Sequence, residues 1–124
     1  MTAKRLLLID DEENLVSVIQ ICLQKLGGWT VLTASSGTEG LRHAEALQPD
    51  AILLDVMMPD LDGLTVLRRL KANPSTQNIP VILLTAKMQS AHQSEYAQLD
   101  IAGVLAKPFD PLDLAKRVAK ILGW

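Results

Sequence analysis

The stretch that decides the fold is LLDVMMPDLDG, residues 53–63, in which an apolar run ends in a carboxylate. Residues 51–54 are apolar throughout, which is typical of a strand covered on both faces of a sheet. Asp55 follows directly, and Pro59 breaks the extended segment. Burying an unpaired charge costs on the order of several kcal/mol, so an aspartate at the end of a buried strand predicts a functional position.

Outward from this stretch, apolar strands alternate with amphipathic helices. Strands are predicted over Arg5–Ile9, Trp29–Ala34, 51–54, Ile79–Leu84 and Gly103–Ala106. Helices are predicted over 15–26 (apolar at 15, 18, 19, 22, 23 and 26), Ser36–Leu47, Asp62–Lys71, 87–99 and Pro111–Leu122. Five such alternations predict an α/β domain with a doubly wound parallel sheet and helices on both faces.

The helix predicted over 87–99 has the weakest apolar face. Its large apolar residues are Met88, Tyr96 and Leu99. Sparse burial implies low local stability, so this helix is expected to be movable.

Composition and charge narrow the function classes. The chain has 124 residues, 48% of them hydrophobic and 21% charged, with a net charge of −2. These values are ordinary for one globular domain, and they argue against the basic patch of a nucleic-acid-binding protein. The apolar run at 6–9 is too short for a signal peptide or a membrane span, which predicts a cytoplasmic protein. Cys22 excludes a disulfide framework, since it is the sole cysteine, and it is expected to be a small buried residue.

The residues that follow the predicted strands form a specific set. Asp10 and Asp11 follow the first strand, Asp55 the third, Thr85 the fourth and Lys107 the fifth. In a doubly wound sheet, functional residues lie at the carboxyl ends of the strands. If these strands are neighbours, the five side chains converge on one crevice.

This set of side chains suits a metal ion and phosphoryl transfer. Three close carboxylates repel one another unless a cation intervenes, and Lys107 offsets one charge. Oxygen ligands suit Mg²⁺, with Mn²⁺ as an alternative. Asp55 could act as a nucleophile toward phosphorus, while Lys107 neutralises the phosphoryl oxygens and Thr85 donates a hydrogen bond. Solvated loop acids remain the alternative for Asp10 and Asp11.

Four segments carry a family resemblance, and each includes the end of a predicted strand and the residues that follow it. They are LLLIDDEE (6–13), LLDVMMPDLDG (53–63), VILLTAK (81–87) and AKPFDP (106–111). Over essentially its whole length the chain resembles the response-regulator receiver domains of two-component signalling, the CheY-like superfamily. The resemblance implies a flavodoxin-like sheet in the order 2-1-3-4-5 and a single receiver domain over 1–124, with no output domain in this chain.

The resemblance also implies roles for the acidic residues. Asp55 would be the phosphoacceptor, taking the phosphoryl group from a phosphohistidine. Asp11 and Asp55 would bind Mg²⁺ directly, together with the backbone carbonyl of Met57, and Asp10 would bind it through a water molecule. Pro59 would help to shape the loop beside the acceptor.

The remaining site residues would act on the transferred group. Thr85 and Lys107 would contact the phosphoryl oxygens, and the peptide bond between Lys107 and Pro108 would be cis. Receivers commonly carry an aromatic residue three positions before this lysine, and here that residue is Val104. Switching would therefore depend on Thr85 and the movable 87–99 helix.

As a receiver, the protein would be a signalling protein without a turnover substrate, although it would catalyse its own phosphorylation and dephosphorylation. Its expected partners are a histidine kinase or phosphotransfer protein, and a downstream protein or output domain. The latter would bind the face formed by the 87–99 helix, the fifth strand and the last helix. Neither nucleic-acid binding by this domain nor membrane association is expected, and a homodimer is left open.

Three other functions compete with this interpretation. A phosphorylation-independent interaction module would keep the fold without the chemistry. A Mg²⁺-dependent phosphatase with an aspartate nucleophile generally has that nucleophile after the first strand and a second aspartate two residues on, where this chain has Glu12. A flavin or nucleotide binder would need a phosphate loop after the first strand, whereas residues 10–13 are all acidic. His43 and His92 are interpreted as solvated helix residues.

Overall fold

A parallel sheet lies between two layers of helices in the computed structural model, which describes residues 3–86 and 99–124. The strands are β1 (Arg5–Ile9), β2 (Thr30–Ala34), β3 (Ala51–Asp55), β4 (Val81–Thr85) and β5 (Gly103–Ala106). The described helices are α1 (Glu13–Cys22), α2 (Gly37–Leu47), α3 (Gly63–Ala72) and α4 (Pro111–Leu122). The order β2-β1-β3-β4-β5 confirms the predicted sheet. Of the helix predicted over 87–99, all but the last residue lies outside the described residues, as does His92.

Alternating strand residues build two separate apolar cores. In β1, Leu7 and Ile9 pack with α2 and α3, while Leu6 and Leu8 pack with α1 and α4. Because each strand is covered on both sides, its sequence is continuously apolar instead of alternating. In the described part of the chain, no helix has the length and apolar character needed to span a membrane.

The first helix buries a narrower face than its sequence predicts. Ile19 and Leu23 are fully buried, but Val18 is 43% and Leu26 57% exposed. The α-helix ends at Cys22 and continues as one π-helical turn, Leu23–Gly27, whose wider winding rotates Leu26 off the predicted face. The prediction that Cys22 is buried is wrong, since it is half-buried.

The fourth strand begins two residues later than predicted. Pro80 has no backbone N–H and cannot donate to a sheet ladder, so β4 begins at Val81. The carbonyl of Pro80 still accepts a hydrogen bond from the N–H of Ile52 at 2.9 Å. The strand extends one residue further than predicted and ends at Thr85.

The C-terminal residue packs against the sheet end that lies opposite the carboxyl ends of the strands. The ring of Trp124 meets that of Trp29 edge to face, with centroids 5.2 Å apart. The ammonium of Lys4 lies 5.5 Å from the Trp124 ring. Gly123 adopts a left-handed conformation, φ 71°, and thereby ends α4 and turns Trp124 onto this surface.

Asp62 caps the start of α3. Its carboxylate accepts hydrogen bonds from the backbone N–H of Thr65 at 3.0 Å and from the Thr65 hydroxyl at 2.9 Å. The two bonds hold the pKa of Asp62 below its ordinary value of 3.8. The carboxylate satisfies one of the N–H groups that the first helical turn leaves without an intrahelical partner.

We predict that Asp62→Ala lowers the free energy of unfolding by about 1 kcal/mol at pH 7, as is usual when an N-cap is lost. Because the pKa of Asp62 is lowered in the folded protein, its contribution is present above the unfolded value and fades as the pH falls below about 4. Urea denaturation at pH 7 and pH 3 measures both effects. Thr65→Val, which removes only the hydroxyl bond, should cost less, and an equal loss at both pH values would contradict the capping role.

Candidate functional site

Two buried aspartates lie side by side at the carboxyl end of the sheet. Asp10 follows β1 and Asp55 ends β3, and these strands pair in register with Ile9 opposite Leu54. Asp10 and Asp55 are 1% and 2% exposed. Oxygens of Asp10, Asp11 and Asp55 lie within 4.8 Å of one another. The predicted convergence of these three carboxylates is thus present in the structure.

Lys107 lies between the two buried carboxylates. Its Nζ is 3.1 Å from Asp10 Oδ2 and 3.4 Å from Asp55 Oδ1, and its side chain is 15% exposed. The backbone N–H of Lys107 donates to the carbonyl of Thr85 at 2.8 Å, which continues the β4–β5 ladder beyond its last pair. The peptide bond that follows, between Lys107 and Pro108, is cis, as the resemblance implied.

Burial and neighbouring charges together set the pKa values of Asp55 and Lys107. Burial and the neighbouring Asp10 raise the pKa of Asp55 from 3.8 to about 6, against the opposing effects of Lys107 and the Met57 N–H. Burial acts to lower the pKa of Lys107, but Asp55 and Asp10 outweigh it and raise that pKa. At neutral pH the Asp55 carboxyl is therefore mostly ionised, and the Lys107 ammonium beside it is protonated.

Backbone groups orient the acidic side chains. The N–H of Met57 donates to Asp55 Oδ1 at 3.2 Å, and the N–H of Glu12 donates to Asp10 Oδ1 at 3.0 Å. Gly63 N–H donates to the carbonyl of Val56 at 2.8 Å. A Cβ at Gly63 would collide with the carbonyl of Asp55 and lie 2.7 Å from Val56 Cα. The absence of a side chain at 63 lets α3 begin directly against the end of β3.

The acidic group fits a hard divalent cation. Within residues 3–86 and 99–124, Asp10, Asp11 and Asp55 are the one set of three or more acidic, histidine or cysteine side chains close enough to share an ion. Asp11 is accessible to solvent, whereas Asp10 and Asp55 are buried. Carboxylate ligands on an open edge suit Mg²⁺, which retains several of its own waters. One cation there would relieve the repulsion that raises the pKa of Asp55.

Thr85 lies on β4, the neighbour of β3, and Val104 lies on β5, one strand beyond it. Thr85 is fully buried at the end of β4, one residue beyond Leu84, which pairs with Asp55. Val104 pairs with Leu83 and packs against the core that contains α2 and α3. The aliphatic residue at 104 is thus partly buried against that core.

Two residues outside the acidic cluster test the sequence interpretation further. His43 lies on α2, where its Nδ1 is 4.0 Å from Glu39 Oε1, and it belongs to no metal-ligating group among the described residues. Asp60 was not singled out by its sequence, yet it accepts hydrogen bonds from the N–H groups of Gly37 and Thr38. The sequence offered one signal for Asp60, namely its position shortly after Asp55 in the segment LLDVMMPDLDG.

Comparison with known proteins agrees with this geometry. The family description "response regulator receiver domain" matches residues 6–119. The alkaline phosphatase synthesis transcriptional regulatory protein PhoP of Bacillus subtilis is 39% identical over 119 residues, which cover 96% of this chain and 48% of that protein. The chain thus spans about half the length of this curated relative.

Solved structures give the same match. The chemotaxis response regulator CheY4 of Vibrio cholerae superposes with a TM-score of 0.88 at 28% identity, covering 97% of this chain and 99% of that one. The receiver domain of the sensor histidine kinase PA1611 of Pseudomonas aeruginosa gives 0.86 at 30% identity, with 99% and 100% covered. That structure contains a magnesium ion coordinated in its active-site cleft.

We predict that Asp55→Asn stabilises the metal-free protein at pH 7. The pKa of Asp55 is raised on folding, so the folded state binds the proton more tightly and stability falls as the pH rises from 3.8 to about 6. Asparagine removes this penalty, a gain of about 1–2 kcal/mol after allowing for solvent at the cleft. Urea denaturation at pH 7 and pH 4 should show the gain at pH 7 and little at pH 4. Equal stability of the two proteins at pH 7 would contradict it.

Proposed function

This chain belongs to the response regulator receiver domain family, and on that premise we propose that Asp55 accepts a phosphoryl group in a magnesium-dependent reaction. The observation that carries the proposal is the position of Lys107 Nζ, 3.1 Å from Asp10 and 3.4 Å from Asp55. With Asp11 close by, this arrangement provides a nucleophile, a set of metal ligands and a fixed cation on one edge of the sheet.

The geometry of Asp55 suits an in-line attack on phosphorus. One carboxylate oxygen forms the bond to phosphorus as the phosphorus–nitrogen bond of a phosphohistidine breaks, and the electron pair returns to the imidazole. The pKa of Asp55, about 6, leaves the carboxylate mostly ionised at neutral pH. The Met57 N–H bonded to Oδ1 restricts its rotation.

Other residues neutralise charge as the phosphoryl group arrives. The ammonium of Lys107 would contact a phosphoryl oxygen, and the hydroxyl of Thr85 would donate to another. Mg²⁺, held by Asp11, Asp55 and the Met57 carbonyl, with Asp10 acting through water, would supply the remaining positive charge. Mn²⁺ would fit the same oxygen ligands.

We further propose that the protein acts in signalling without a turnover substrate. Its donor would be a histidine kinase or phosphotransfer protein, and its target a downstream protein or an output domain. With Val104 in place of an aromatic residue, the response to phosphorylation would run through Thr85 at the end of β4. The cytoplasmic location and the role of the 87–99 segment stay predictions of the sequence.

Intact-mass spectrometry tests the acceptor chemistry. Wild type incubated with acetyl phosphate and Mg²⁺ should gain one phosphoryl adduct, and omission of Mg²⁺ should abolish it. Asp55→Asn should gain none, while its circular dichroism spectrum stays that of the wild type. An adduct that persists in Asp55→Asn would contradict the assignment of the acceptor. No adduct under any condition would favour a phosphorylation-independent interaction module.

Lys107→Ala should separate acceptor chemistry from the conformational response. The substitution removes the positive charge between Asp10 and Asp55 but leaves the nucleophile in place. We expect slower labelling at Asp55, together with loss of the amide NMR shift changes that phosphorylation produces along 84–86 in the wild type. Shift changes equal to those of the wild type in phosphorylated Lys107→Ala would contradict a role in coupling.

A further inference from the structure

Asp60 connects the loop after the acceptor strand to a different element of the fold. Its Oδ1 accepts from the backbone N–H of Gly37 at 3.1 Å. Its Oδ2 accepts from the N–H of Thr38 at 3.2 Å and from the Thr38 hydroxyl at 3.1 Å. Three hydrogen bonds thus join the tip of the 56–62 loop to the N-terminus of α2. The residues they join are 22 and 23 positions apart in the chain.

Hydrogen bonds hold the loop at its base and at its tip, and the proposed metal ligand lies between these two points. At its base, the N–H of Gly63 bonds to the carbonyl of Val56. At its tip, Asp60 bonds to α2. Met57 lies between these points and is 55% exposed, so few side-chain contacts of its own hold it in place. The position of its carbonyl therefore depends on these two ends of the loop, together with the bond from its own N–H to Asp55 Oδ1 and the burial of Met58.

Packing and charge both support the contact between the loop and the N-terminus of α2. A Cβ at Gly37 would lie 2.9 Å from the Cβ of Leu61, so the loop and the helix are in direct contact there. The N–H groups of Gly37 and Thr38 hold the pKa of Asp60 below its ordinary value, because they donate to the ionised carboxylate. A negative group at a helix N-terminus is also favoured by the helix dipole.

We propose that Asp60 is a positioning residue for the metal site: by bonding to α2 it holds the 56–62 loop so that the Met57 carbonyl can reach the ion bound by Asp11 and Asp55. This inference rests on the proposed function, since it concerns the same metal. Asp60 itself lies outside the acidic cluster. Its part resembles that of outer groups that orient metal ligands, whose loss typically weakens binding about 10–100-fold.

The test compares Asp60→Ala with a variant that weakens the same helix end without touching the loop. Ser36 is the N-cap of α2, and its hydroxyl accepts from the N–H of Glu39 at 3.1 Å. Ser36→Ala therefore destabilises the start of α2 but keeps the bonds of Asp60. Mg²⁺ titration followed by backbone amide NMR at Val56 and Met57 gives the Kd, and urea denaturation gives the stability of each variant.

Asp60→Ala should weaken Mg²⁺ binding about tenfold, whereas Ser36→Ala should stay within about twofold of the wild type. Asp60→Asn keeps one acceptor oxygen and should fall between wild type and Asp60→Ala, which also serves if the alanine variant fails to fold. If the Asp60 variants bind Mg²⁺ as tightly as the wild type, or if Ser36→Ala weakens binding equally, the positioning role is overturned. A wild type that binds no Mg²⁺ would overturn the metal site itself, a separate result.

Discussion

The ammonium of Lys107 lies between the carboxylates of Asp10 and Asp55, and the carboxyl end of the sheet depends on this contact. Two acids that are almost fully buried next to each other would repel strongly without a counter-charge. Lys107 compensates one negative charge, and the negative charge that remains would attract a cation. The same contact that offsets the repulsion in the metal-free protein would therefore also leave the site able to take up the proposed metal ion and phosphoryl group.

The site is assembled from distant parts of the chain. Asp10 and Lys107 are separated by 97 positions in the sequence. Asp55 lies between them in the sequence, and its strand β3 lies between β1 and β4 in the sheet. Parallel strands bring their carboxyl ends to one edge, so each crossover helix contributes indirectly to the position of the next functional residue. Local fragments of this chain cannot hold the three charges together, because no two neighbouring elements contain all of them.

Strand ends and apolar runs predicted a doubly wound parallel sheet, since these follow from short-range patterns. The convergence of Asp10, Asp55 and Lys107 depended also on the strand order, which the family resemblance implied. The buried face of α1 was predicted less well, because a single π-helical turn shifts the phase of the helix and leaves Leu26 exposed. The contact of Asp60 with α2 was not predicted, because it joins the 56–62 loop to the N-terminus of α2, and their proximity follows only from the packing of α2 beside α3. Side-chain periodicity contains no information on such a contact.

The packing of Trp124 against Trp29 has a spectroscopic consequence. Both indoles of the chain lie in one cluster at the amino ends of the strands, across the sheet from the acidic crevice. Their fluorescence emission will report whether the last helix is docked and its terminus ordered. It will change little with what occupies the crevice. Tryptophan fluorescence of this protein thus measures folding, and occupancy of the site must be followed by probes placed elsewhere.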